Sequence, residues 1–148
     1  MKTLTSRCIN FKISISFKKS IETINSIIDG DIYELVNPNL IYHYTTPGDL
    51  FDLINFSKNN DIDLKNVSLE KLLKIMINKN FYKKDNFIKK LIYNLIELFF
   101  YKLMLENDYK KNIINLYYYF ANKIYNCNKF NLDEENLFLE FKTALLNE

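Results

Sequence analysis

Two glycines and two prolines in 148 residues give this chain few means of making irregular structure, which excludes a loop-rich or disordered protein. They also exclude a glycine-rich phosphate loop, because Gly30 and Gly48 stand alone. Tryptophan is absent, alanine occurs only at 121 and 144, and Arg7 is the one arginine against 19 lysines. A near-absence of guanidinium groups weighs against sequence-specific reading of bases, which favours their bidentate fork. The single histidine, His43, and the distant cysteines Cys8 and Cys127 would need carboxylates to complete a metal site, so no metal or other cofactor is expected. The acidic pairs Asp29/Asp31 and Asp61/Asp63 lack the glycine and glutamate that a calcium loop requires, and read as turn and connector residues.

Long hydrophobic runs are missing too. The N-terminus alternates in polarity and contains no apolar stretch of signal-peptide type. The most apolar segment, residues 87–105, carries Lys89, Lys90, Asn94, Glu97 and Lys102, and each central lysine would oppose membrane insertion by about 2.5 to 3.5 kcal/mol. The expected setting is intracellular and reducing, cytoplasm or organelle matrix, without signal peptide or transmembrane helix. Two free thiols fit it, a single disulfide being the alternative.

What abounds is Asn, Ile, Lys, Tyr and Phe, with aromatics at 16%. These residues have A- and T-rich codons, so the composition points to an AT-rich genome, of a virus, an organelle or a low-GC bacterium. The formal net charge is only +2, yet it is unevenly spread: residues 1–66 sum to −1, 67–130 to +7 and 131–148 to −4. Either the lysine faces of the middle lie beside the acidic last segment, or the middle presents an anion-binding surface.

The chain is organised around residues 85–108, a helical repeat of large apolar side chains. Phe87, Leu91, Leu95, Leu98 and Leu105 lie along one stripe, Ile88, Ile92, Ile96, Phe99, Phe100 and Leu103 widen it, and only Lys90, Asn94, Glu97 and Tyr101 form a narrow polar line. Leaving such a helix in water would forgo roughly 1.5 to 3 kcal/mol for each large side chain, so other elements must wrap it. Ahead of it, residues 9–18 alternate with a period of two and predict a strand, 20–29 predict a helix ending at Gly30, and 31–36 and 40–45 predict two further strands about an Asn37-Pro38-Asn39 turn. Thr46-Pro47-Gly48-Asp49 opens a helix to about 57 through an N-cap, a proline at the first position and a capping box. Residues 68–79 predict another helix, and a second long helix follows 107–108, antiparallel to the first. A last helix begins near Asp133, with Leu132 and Leu137 as a hydrophobic staple. The expected fold class is α+β, predominantly helical, in one domain over 1–148. A small N-terminal antiparallel sheet (1–45, strand-helix-strand-strand) would accompany a helical bundle (46–148) packed around the central helix at about 85–106.

Candidate chemistry is sparse. His43, with Asp49 and Asp52 in the helix after it, could act as a general base, but no nucleophile is placed beside it. Lys79, Tyr82, Lys83, Lys84, Lys89 and Lys90 combine positive charge with a ring, a mixture able to neutralise phosphates and stack bases. Tyr117-Tyr118-Tyr119-Phe120 puts rings on every side of a helix. Tyr117 and Phe120 follow the inward stripe, which leaves Tyr118 and Tyr119 as interface candidates.

The function expected from these features is non-enzymatic: a small soluble interaction or assembly subunit that binds another protein, or itself, through aromatic and lysine-rich helical surfaces. The alternatives are a nucleic-acid-associated subunit of an organellar or viral ribonucleoprotein, a viral antagonist of host cell-death or signalling proteins of the Bcl-2-like type, and an enzyme using His43. The Bcl-2-like alternative rests on a buried central helix and base composition alone, and the predicted N-terminal strand departs from that fold.

Overall fold

Short polar side chains start the first five of the seven α-helices among the described residues, and they decide where the chain turns. The computed structural model describes residues 15–42 and 45–146. Ser16 caps helix α1 (Phe17–Ile28), its hydroxyl accepting from the Lys19 amide at 3.3 Å. Asp31 caps the single turn α2 (Ile32–Leu35), and Asn37 caps a 3-10 turn, Pro38–Leu40. Thr46 opens α3 (Pro47–Asn60), Ser68 opens α4 (Leu69–Asn78), and a second 3-10 turn, Phe81–Lys83, leads to Asp85, the cap of α5 (Asn86–Glu106). Helix α6 (Lys111–Phe130) follows, then α7 (Glu135–Phe141), which continues into a π-helical turn at Lys142–Leu146.

The architecture is a helical bundle, and no strand occurs among the described residues, so the expected N-terminal sheet is not present. Ile9 to Ser14 of the first predicted strand lie outside the described residues, and Phe17 and Lys18 form the first turn of α1 instead. The second predicted strand is the helical turn α2. The Asp31 carboxylate accepts from the Tyr33 amide at 3.0 Å and the Asn25 side chain from the Ile32 amide at 2.9 Å. Of the third, Leu40 ends the 3-10 turn, His43 and Tyr44 lie outside the described residues, and the residues on either side bond to each other, Thr45 N donating to the Tyr42 carbonyl at 2.8 Å and Tyr42 N donating to the Thr45 hydroxyl at 2.9 Å. In all three places a local Ser, Asp, Asn or Thr oxygen offers the backbone a partner that a strand would have had to find across a sheet.

Helix α5 lies at the centre. Leu91, Ile92, Tyr93, Leu95, Ile96, Leu98, Phe99 and Phe100 are buried, leaving Asn94 and Glu97 as the breaks in that run. Helix α6 returns along it: Phe100 meets Tyr117 and Phe120 with ring centroids 5.7 Å apart, and Ile96 shares a groove with Ile124. Phe141 of α7 completes an edge-to-face cluster with Phe99, Phe100 and Phe120, at 5.5, 5.9 and 5.5 Å. The wrapping stops short of the ends of α5, where Phe87 and Leu105 are exposed. Of the two residues of the expected staple over α7, Leu137 is buried and Leu132 is half exposed.

Candidate functional site

Consecutive residues of a helix diverge by about 100 degrees, so the four rings at 117–120 have to go separate ways. Phe120 is fully buried and Tyr117 half-buried, both against α5. Tyr118 and Tyr119 project outward, with 60% and 44% of their surfaces exposed. Their surroundings differ. The Tyr119 hydroxyl donates to Glu140 Oε1 of α7 at 2.6 Å, Lys123 pairs with the same carboxylate, and the Lys123 ammonium sits 4.6 Å from the Tyr119 ring centroid. Tyr119 is therefore part of a strut between α6 and α7. Tyr118 meets the neighbouring Tyr117 ring, centroids 5.6 Å apart, and is otherwise largely exposed.

Helical geometry places Tyr118 in a second stripe of α6, pointing away from the core: Lys111, Ile114, Tyr118, Ala121, Tyr125 and Lys129 follow one another at intervals of three or four residues. Tyr125 is 57% exposed. This stripe borders a groove of about 130 Å³ between α5 and α6, lined by Glu97, Phe100, Tyr117, Ala121, Ile124 and Tyr125, in which Ala121 forms a notch between two tyrosines. Alternating three- and four-residue spacing of this kind was open to view in the sequence, but the inward stripe through Ile113, Phe120 and Cys127 obscured it. Two stripes on one helix read as a broad apolar face.

The lysine candidates stand otherwise. Lys83 pairs with Glu135 at 2.7 Å, Lys89 with Glu134 at 2.8 Å in a largely buried setting, and Lys90 with Asp49 at 3.5 Å. Lys84 lies 4.7 Å from the Phe81 ring centroid, and Lys79 makes no ion pair among the described residues. Tyr82 is buried against Phe138, ring centroids 4.6 Å apart, with its hydroxyl donating to Asn80 at 3.0 Å, so its face is not offered to a base. The acidic start of α7 folds onto the basic middle of the chain and takes up the charge of Lys83 and Lys89, while Asp49 of α3 faces Lys90.

His43 lies outside the described residues. Of its two candidate partners, Asp49 is engaged in the capping box with Thr46 and also accepts from Asn94 at 3.3 Å. Burial and then the Asp49 charge push the Asp52 carboxyl above its ordinary value. No group of three or more His, Cys, Asp or Glu is placed to hold a metal ion among the described residues. Asp29 and Asp61 adopt left-handed backbone at helix ends, and Asp63 accepts from Lys65 N and Asn66 Nδ2 at 2.9 and 2.6 Å, each a turn geometry. The Cys127 thiol is buried, which pushes its pKa up and leaves it little thiolate for nucleophilic chemistry. No helix among the described residues is long and apolar enough to cross a membrane. No protein-family model, no curated protein and no solved structure matches this chain.

Proposed function

We propose that this protein is a non-enzymatic interaction or assembly subunit that binds another protein through the outer stripe of α6. The observation that carries this reading is the pair Tyr118 and Tyr125, two helical turns apart on one face and 60% and 57% exposed beside an apolar groove. Single exposed apolar residues are ordinary on a protein surface. Two tyrosines in register beside a groove are the arrangement in which rings dock on a partner while their hydroxyls stay at the wet rim. The nucleic-acid alternative finds less support, since Lys83, Lys89 and Lys90 have carboxylate partners and Tyr82 is buried.

The test is a pull-down from native extract, treated and untreated with nuclease, using the wild type, Tyr118→Ala and Tyr125→Ala. Both substitutions are expected to leave folding stability within about 0.5 kcal/mol. They should weaken a nuclease-resistant association at least tenfold, as loss of a binding hot spot worth about 2 kcal/mol or more would. Association indifferent to both rings, or lost on nuclease treatment, would move the function away from this face.

A further inference from the structure

The same stripe states something about the chemistry of what it binds. From Tyr109 to Leu132 the chain contains no aspartate or glutamate, while lysines stand at 110, 111, 123 and 129. Lys123 is occupied by Glu140, whereas Lys110, Lys111 and Lys129 make no ion pair among the described residues. The positive charge therefore sits at the two ends of α6, about 27 Å apart at 1.5 Å per residue. Between them lie Ile114, Tyr118, Ala121 and Tyr125, with the neutral Asn115 and Asn122 on one flank and a single carboxylate, the exposed Glu97 of α5, across the groove on the other. Lys129 Nζ is held 5.3 Å from the ring centroids of both Tyr125 and the exposed Phe130, which fixes one charged end against the aromatic surface. A lysine-bearing rim around a largely aromatic centre is the anatomy of a protein interface. A nucleic-acid backbone, with its evenly repeated phosphates, would call for lysines along the middle as well.

Resting on the proposed protein-binding role of α6, we infer that the partner presents an acidic amphipathic helix. This helix lies along the stripe with an aliphatic side chain in the Ala121 notch and its carboxylates against Lys129 at one end and Lys110 and Lys111 at the other. Spacings of three and four residues along the stripe are those of a helix-on-helix seam. The groove, at about 130 Å³, has room for one aliphatic side chain. A second copy of this chain is a poor occupant. Pairing α6 with α6 in either direction sets lysine against lysine, with no carboxylate on the helix to answer it.

The experiment is a selection on the folded full-length protein from a phage-displayed library of α-helical peptides randomised at their surface positions. The selected peptides are then synthesised and their affinity measured for the wild type, Ala121→Leu and the double variant Lys111→Glu/Lys129→Glu. The expected outcome is a pool enriched in Asp and Glu around a Leu, Ile or Met anchor, with affinity reduced at least tenfold by filling the notch and at least tenfold by the charge reversal. A pool with no excess of acidic residues over the starting library, or acidic peptides indifferent to the charge reversal, would overturn the inference. So would tight binding of a 20-residue thymidine oligonucleotide that the double variant loses, or a concentration-dependent dimer in sedimentation that the double variant abolishes. If Tyr118→Ala still disrupts a nuclease-resistant association while the selected peptides are not acidic, this inference falls and the protein-binding role stands. If neither tyrosine nor lysine changes affect any association, both fall.

Discussion

Tyr118 and Tyr119 are adjacent, chemically identical and both exposed, yet their prospects differ because of one carboxylate. Glu140 engages the Tyr119 hydroxyl and Lys123, so that ring is already committed to holding α7 against α6. Tyr118 has no such tie and remains available. The opposite extreme is Leu95, 3% exposed on the covered side of α5. Leu95→Ala should lower the unfolding free energy by about 2 to 5 kcal/mol, the range for a leucine whose site collapses only partly. Urea unfolding of the two variants side by side checks this: a fall for Leu95→Ala and little change for Tyr118→Ala. An unmoved midpoint for Leu95→Ala would mean that α5 is not the centre of the fold.

At the level of elements, the clearest local design is the start of α3. The Thr46 hydroxyl accepts from the Asp49 amide at 3.2 Å, the Asp49 carboxylate accepts from the Thr46 amide at 3.1 Å, and Pro47 occupies a position whose missing N–H costs nothing. Thr46→Ala should therefore cost about 0.5 to 2 kcal/mol, whereas Thr46→Ser, which keeps the accepting oxygen, should cost much less. Thermal melts of the two variants decide it, and equal losses would show that the cap is not what Thr46 contributes. The same kind of residue explains the misread strands. Residues 31–36 and 40–45 carry β-branched and aromatic side chains, but Asp31, Asn37 and Thr45 satisfy backbone groups locally, and no described strand is there to pair with them.

Across the whole molecule, opposite charges separated in sequence are brought together in space. Lys83, Lys89 and Lys123 meet Glu135, Glu134 and Glu140 respectively, so the acidic end of the chain neutralises part of its basic middle. Hydrogen bonds first from Lys123 and then from Tyr119 hold the Glu140 carboxyl below its ordinary 4.5. Hydrogen bonds first to Glu140 and then involving Tyr119 hold the Lys123 ammonium above its ordinary 10.5. A carboxyl depressed in the folded state stabilises it above about pH 4.5 and loses that contribution as pH falls through its folded value. A raised ammonium contributes fully below about pH 10.5 and loses its share as pH rises through the folded value. The α6–α7 strut thus contributes across the neutral range and weakens at both extremes. Carbon-detected NMR titration should place the Glu140 midpoint below 4.5 and return it toward that value in Lys123→Met. A midpoint at or above 4.5 in the wild type would remove the strut from the account.

By itself the sequence determined the helices whose periodicity runs long and whose ends are marked by a capping oxygen: α3 from Thr46, α4 from Ser68, α5 from Asp85, and the place of Leu95, Phe99 and Phe100 in the core. These are settled within one or two turns of chain, by side-chain spacing and a hydrogen bond spanning two or three residues. The conformation of 31–45 was not, because a period of two over five or six residues means a strand only if another strand lies alongside, and that is a fact about distant parts of the chain. Nor was the fate of the lysines at 83, 89 and 90, which depended on Glu135, Glu134 and Asp49 arriving from elsewhere in the fold. The outer stripe of α6 belongs to the same class. Tyr118 and Tyr125 were visible as rings at helical spacing, but only the packing of Phe120 against Phe100 and Phe141 fixes the rotation of the helix about its axis, and with it which side chains remain in solvent.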